Sequence, residues 1–177
     1  MTSPKPKAGK PFPVIDIALL GGGSTSLSDC ANGYDWKLIV VYRGKHCPLC
    51  TRYLRELNDA LPELNQLGVD VIAVSADSEQ RATDQIKEVE PDYKVGYGLT
   101  VEQMQQLGLY ISGKGNGVDV EGPFAEPGLF VVNEAGNLQV VDISNVPFAR
   151  PNPASIVHGL RFFRSKTEPF PVNGTQA

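Results

Sequence analysis

Two kinds of hydrophobic run alternate along the chain. Lys37 to Tyr42 (KLIVVY) and Val69 to Ala76 (VDVIAVSA) are short and rich in β-branched residues, the pattern of strands buried on both faces. Between them Leu49, Tyr53, Leu57, Leu61 and Leu64 recur at helical spacing. Pro62 falls inside that repeat, where it is expected to kink or restart the helix near Leu61, and Gly68 ends it. Strand, helix and strand of these lengths predict a parallel βαβ unit with a right-handed crossover.

The pattern continues in both directions. Asp77 as N-cap, with Gln80 completing a capping box, predicts a helix over 78–89 that Pro91 stops. Residues 94–99 read as a short edge strand, and Thr100 with Gln103 as a second capping box opening a helix through Leu107. Gly113 to Gly122 is a flexible loop. Residues 129–133 and 138–144 form strands joined by the hairpin connection 134–137. Pro153–Arg164 is the last helix, with Ile156, Val157, Leu160 and Phe163 on its apolar face. Upstream, 12–20 and 24–27 flank Gly21-Gly22-Gly23 as a weaker hairpin. The order predicts an α/β domain over 12–166, a central mixed β-sheet flanked by helices, with an N-terminal β-hairpin extension. Residues 1–11 are expected as a flexible N-terminal tail and 167–177 as a C-terminal tail.

Composition narrows the function. The 177 residues carry 16 Lys+Arg against 20 Asp+Glu, a formal charge of −4, which lacks the basic footprint of a nucleic-acid binder. No run approaches the roughly 20 apolar residues that cross a membrane, and Pro11, Pro13 and Asp16 interrupt the place of a signal region. The expectation is a cytoplasmic protein whose thiols are kept reduced. Three cysteines are too few for a disulfide framework, so a close pair reads as catalytic or metal-binding.

That pair is Cys47-Pro48-Leu49-Cys50, at the junction of a buried strand and a helix. Cysteines at this spacing in a first helical turn can bring their sulfurs within bonding distance. Pro48 suits the first helical position, where its missing N–H costs nothing. Cys47 then falls at the N-cap, facing unpaired N–H groups and the positive end of the helix dipole, both of which favour the thiolate. His46, Lys45, Arg43 and Arg52 are expected to add positive charge, and Cys50 suits the resolving role. The competing reading is zinc, with Cys30 and either His46 or His158 completing four ligands. No second CxxC and no HxxxH accompany the pair, so the redox reading stands first. Cys30 reads as an ordinary thiol, and Arg150 as a residue of a loop able to approach the site.

The stretch from Val41 to Cys50 (VYRGKHCPLC) resembles the active-site segment of peroxiredoxin-like proteins in the alkyl hydroperoxide reductase/thiol-specific antioxidant group. Val69 to Ser78 resembles the group's next strand, and Glu126 to Asn137 its late hairpin, so the likeness spans about Phe12 to Phe163. The resemblance implies a thioredoxin-like fold and reduction of hydroperoxides by the Cys47/Cys50 dithiol. It implies no bound cofactor and no metal, recycling by a thioredoxin- or glutathione-type reductant, and a homodimer as a form the group often takes. The order Cys-Pro-x-Cys is also similar to glutaredoxins, which keeps a protein disulfide oxidoreductase as the alternative. Pro127 falls where thioredoxin-like proteins carry a substrate-facing cis-proline. Capping favours Cys47 as the attacking sulfur, whereas alignment on the family's single cysteine favours Cys50.

Overall fold

A computed structural model describes residues 5–115 and 117–176. Residues 1–4 and 177 of the expected tails, and residue 116 of the expected loop, lie outside the described residues. The strands are β1 (Asp16–Leu19), β2 (Ser24–Ser26), β3 (Trp36–Val41), β4 (Val69–Val74), β5 (Lys94–Tyr97), β6 (Ile111–Ser112), β7 (Phe124–Ala125), β8 (Gly128–Val132) and β9 (Leu138–Ile143). The helices are α1 (Pro48–Gln66), α2 (Glu79–Val89), α3 (Val101–Gln106) and α4 (Pro153–Arg164). Seven strands form one mixed sheet in the order β2-β1-β5-β4-β3-β8-β9, while β6 and β7 make a separate two-stranded ribbon. β3 runs parallel to β4 and antiparallel to β8, so the expected βαβ unit and late hairpin share the central strand.

The period of two along β3 decides the layers. Leu38, Val40 and Tyr42 face a core shared with α1, α2 and α4. Ile39 and Val41 face a second core, closed by α3 and the N-terminal residues Phe12, Ile15 and Ile17. The N-terminal hairpin is therefore no appendage. β1 pairs antiparallel with β5, which makes β5 an interior strand instead of the expected edge. Gly96 permits that contact, because a Cβ there would lie 2.9 Å from Ile17 Cγ1.

Other expectations shift for tertiary reasons. α1 runs as one helix through Pro62, since Leu57, Leu61 and Leu64 are all buried and packing carries the turn that the proline weakens. Ser78, not Asp77, caps α2 through the Arg81 N–H; the Asp77 carboxylate is taken by the Lys45 backbone N–H at 2.7 Å. The Thr100/Gln103 capping box forms as the spacing implies. Both terminal segments carry contacts. Gly9 and Lys10 exchange backbone hydrogen bonds with Leu138, and the Phe170 ring stacks on Phe163 with centroids 4.3 Å apart. Among the described residues no helix is long and apolar enough to cross a membrane.

Candidate active site

β3 is an interior strand, and a short loop leads from its C-terminal end into α1, which places the cysteine pair beyond that strand end at the start of the helix. Cys47 is the N-cap, with extended backbone (φ −111°, ψ 99°), and Pro48 opens the helix. The Cys50 backbone N–H donates to Cys47 Sγ at 3.2 Å. Both thiols are free and buried, with 1% of Cys47 and none of Cys50 exposed. The Cys50 thiol donating to its sulfur pulls the Cys47 pKa from 9.0 down to about 6, helped by the Cys50 N–H and by Arg43, and opposed by burial. Burial, and the proton it gives to that same bond, push Cys50 far in the other direction. The pair thus divides one proton unequally, with Cys47 as thiolate and Cys50 as thiol.

The cations sort themselves by partner. Arg43 lies on the face of the Phe124 ring, 5.1 Å from its centroid, and its Nε sits 3.0 Å from Glu126 Oε2 without hydrogen-bond geometry. His46 packs edge-on against Phe124 at 4.5 Å. Burial first, then the Arg43 charge, lower its pKa, so His46 is neutral and does not supply the positive charge expected of it. Lys45 pairs with Asp84 at 3.2 Å and Arg52 with Glu56 at 3.0 Å, both at the surface. Arg150 comes in from the β9–α4 loop. Its Nη1 donates to Cys50 Sγ at 3.5 Å and its Nη2 to the Leu49 carbonyl at 3.0 Å, with the guanidinium 4.1 Å above the Tyr53 ring. A cleft of about 330 Å³ lined by Leu49, Tyr53, Phe148 and Arg150 opens on this side.

No peptide bond among the described residues is cis, so Pro127 is not the cis-proline expected there. The Glu126 N–H donates to the Tyr110 carbonyl and the Pro127 carbonyl accepts from Ser144, which holds the segment extended. Pro127 sits at a strand entrance, where its missing N–H is tolerated. Its neighbour Glu126 makes the contact with the site instead.

Several supporting residues escape sequence reasoning. Gln85, buried on α2, donates to the Gly44 carbonyl at 3.0 Å and to Thr51 Oγ1 at 3.1 Å, tying the β3–α1 loop to the first turn of α1. Its signal is a polar residue in the apolar stripe Ala82, Ile86, Val89. Glu126 likewise is a carboxylate inside the apolar run from Phe124 to Val132. Cys30 lies at the opposite end of β3, in the electrostatic company of Lys37 and Asp70, and burial raises its pKa. Among the described residues no three His, Cys, Asp or Glu side chains cluster to hold a metal, so the zinc set Cys30, Cys47, Cys50 and His is not assembled.

Structures of low identity share the fold. A Cys-to-Ser mutant of the peroxiredoxin 6 of Arenicola marina superposes with a TM-score of 0.75 at 15% identity, covering 94% of this chain and 79% of that one. A peroxiredoxin-like protein from Aquifex aeolicus gives 0.71 at 15%, covering 91% and 90%. Mycobacterium tuberculosis AhpC gives 0.71 at 17%, covering 92% and 95%. Comparison with curated proteins returned no match. The AhpC/TSA family model matches residues 8–141, well over half the sequence. The chain therefore belongs to the AhpC/TSA family, and is a peroxiredoxin-like, thiol-dependent oxidoreductase on the thioredoxin-like fold.

Proposed function

We propose that Cys47 is the attacking sulfur and Cys50 the resolving one in the reduction of hydroperoxides. The Cys47 thiolate attacks the terminal peroxide oxygen. The O–O bond breaks, Cys47 becomes the sulfenic acid, and the alkoxide leaves with a proton from solvent as an alcohol, or as water from hydrogen peroxide. Cys50 then attacks the sulfenic sulfur, its thiol proton leaves with the hydroxyl as water, and the Cys47–Cys50 disulfide closes. Two electrons from an external thiol of the thioredoxin or glutathione type restore the pair. No metal or organic cofactor enters this cycle.

The observation that carries the reading is the placement of the two sulfurs: Cys47 Sγ sits at the N-cap of α1 and accepts the Cys50 N–H at 3.2 Å, while Cys50 is fully buried one turn in, and their proton affinities shift in opposite directions accordingly. Cys47 is lowered to about 6 at the helix N-terminus, while Cys50 keeps its proton. Arg150 at 3.5 Å from Cys50 Sγ supports the step in which that thiol must lose its proton. Burial favours a small oxidant over the protein disulfide of the alternative reading. With 1% of Cys47 exposed, a peroxide needs only a small opening, whereas a folded partner needs the sulfur at the surface.

The test is peroxide consumption with dithiothreitol, together with mass mapping of the oxidised protein. Wild type is expected to turn over and to form an intramolecular Cys47–Cys50 bond. Cys47→Ser should abolish consumption. Without dithiothreitol, Cys50→Ser should consume one equivalent of peroxide and leave a sulfenic acid on Cys47. A Cys47→Ser protein that still consumes peroxide assigns the attack to Cys50, and a wild type that consumes none removes the peroxidase reading.

A further inference from the structure

The β6–β7 ribbon brings a carboxylate to the back of the Arg43 guanidinium. Glu126 follows β7 and is buried, with 5% of its surface exposed. Its backbone N–H donates to the Tyr110 carbonyl at 2.8 Å, and the Ser112 hydroxyl donates to its Oε1 at 2.7 Å, so the facing strand fixes it at two points. Its Oε2 lies 3.0 Å from Arg43 Nε. Phe124, two residues earlier, supports the flat face of the same guanidinium and receives the edge of His46. A carboxylate removed from water persists when it is paired. The partner here is the cation that also acts on Cys47.

The geometry points to Glu126 as a positioning residue: with Ser112 it holds the Arg43 guanidinium at the Cys47 thiolate, and its own charge tempers that cation. This rests on the reading of Cys47 as the attacking sulfur. The groups facing the site are few. Arg43 and His46 come from the β3–α1 loop, Cys50 from α1 and Glu126 from the end of β7. Arg150 on the β9–α4 loop is engaged by Cys50. Asp77 and Arg81, paired at 3.4 Å, and Asp119 lie toward His46.

Two substitutions then act in opposite directions. In Glu126→Gln the amide keeps the shape, with its oxygen toward Arg43 and its amino group toward Ser112, but the anion is gone. Arg43 exerts its full charge on the sulfur, and the Cys47 midpoint falls. In Glu126→Ala the anchor is gone, Arg43 leaves the sulfur, and the midpoint rises. A merely structural acid would move neither.

The measurement is the pH profile of Cys47 alkylation by iodoacetamide in the reduced full chain, mapped by mass spectrometry. Glu126→Gln is expected to lower the midpoint by about half a pH unit, roughly a threefold gain in thiolate on the acid limb. Glu126→Ala is expected to raise it by a similar amount. Both shifts should collapse in an Arg43→Met background. An unmoved midpoint in folded Glu126→Gln overturns the assignment, as does a shift that persists undiminished without Arg43. Should the variants fail to fold, wild type carries the test by NMR. The Arg43 Nε–H and Glu126 carboxyl resonances should both inflect at the Cys47 midpoint, and a flat line in either overturns it. No turnover is measured in these arms, so peroxidase failure and failure of this assignment remain distinguishable.

Discussion

At Cys47 the Cys50 thiol, the first-turn backbone and the neighbouring Arg43 together hold a thiolate that bulk water would protonate. Proton linkage turns that into a stability statement. The folded pKa of about 6 lies below the ordinary 9.0, so between these values the unfolded chain binds more protons than the folded one. The contribution of Cys47 is present above about pH 9, declines through the window, and is lost as pH falls through about 6. Cys50 acts with the opposite sign. Its raised pKa means that the unfolded chain ionises first above 9.0, and stability falls there. The neutral His46 adds a loss below its ordinary 6.5, where the unfolded imidazole takes up a proton. The reduced wild type should therefore gain urea resistance from pH 6 to 9 relative to Cys47→Ser, measured as a difference between the two proteins. A difference curve that is flat across this window contradicts a native thiolate at Cys47.

Among elements, α2 holds the geometry that α1 displays. The Asp77 carboxylate takes the Lys45 N–H at 2.7 Å, and Gln85 takes the Gly44 carbonyl and the Thr51 hydroxyl, so the β4–α2 junction clamps the loop that carries the cysteines. Gly44 is the close point. It has a φ of +132°, and a Cβ there would lie 2.7 Å from Asp77 Oδ2. Gly44→Ala should cost about 1–3 kcal/mol by strain and clash, and should raise the Cys47 alkylation midpoint because the loop bearing Arg43 and Cys47 must move. A variant with the wild-type melting point and midpoint would show that the loop has slack. The same clamp explains what the sequence conceals. The CxxC pair, the Pro48 start of α1, the Thr100 box, α4 and the β8–β9 hairpin rest on neighbours in the chain, and their patterns are local. Asp77 looks like an N-cap until the distant Lys45 N–H claims its carboxylate, which leaves the cap to Ser78. Five basic residues surround the pair in sequence or by fold. Which of them reaches a sulfur depends on acids far along the chain: Glu126 for Arg43 and Asp84 for Lys45. β5 likewise reads as an edge because its second neighbour, β1, lies more than seventy residues upstream.

For the molecule as a whole, the two ends of β3 carry different duties. Its C-terminal end delivers the thiols, while its N-terminal end holds a buried ion pair. Lys37 and Asp70 are register partners on β3 and β4, with Nζ and Oδ2 2.6 Å apart and side chains 1% and 14% exposed. The Ala31 N–H also donates to Asp70 Oδ2, at 2.9 Å, fastening the segment before β3 to the sheet. An ammonium in that place is tolerated because the carboxylate answers it. Removing the carboxylate alone leaves an uncompensated charge in the core, and Asp70→Asn should lose about 3–5 kcal/mol, a large share of a domain's usual 5–15. Replacing both partners by apolar residues, as in Lys37→Met with Asp70→Leu, should recover much of that loss, since desolvation of the pair largely offsets its attraction. The pair stands at the far end of β3 from Cys47, so the Cys47 midpoint and peroxide turnover per folded molecule should be unchanged in Asp70→Asn. Urea denaturation and alkylation profiles of the three proteins separate the two duties. A single variant no less stable than wild type would mean that Lys37 finds water or another acid. A shifted Cys47 midpoint would mean that the strand transmits strain from one end to the other, and that the site depends on the whole sheet instead of on the loops around it.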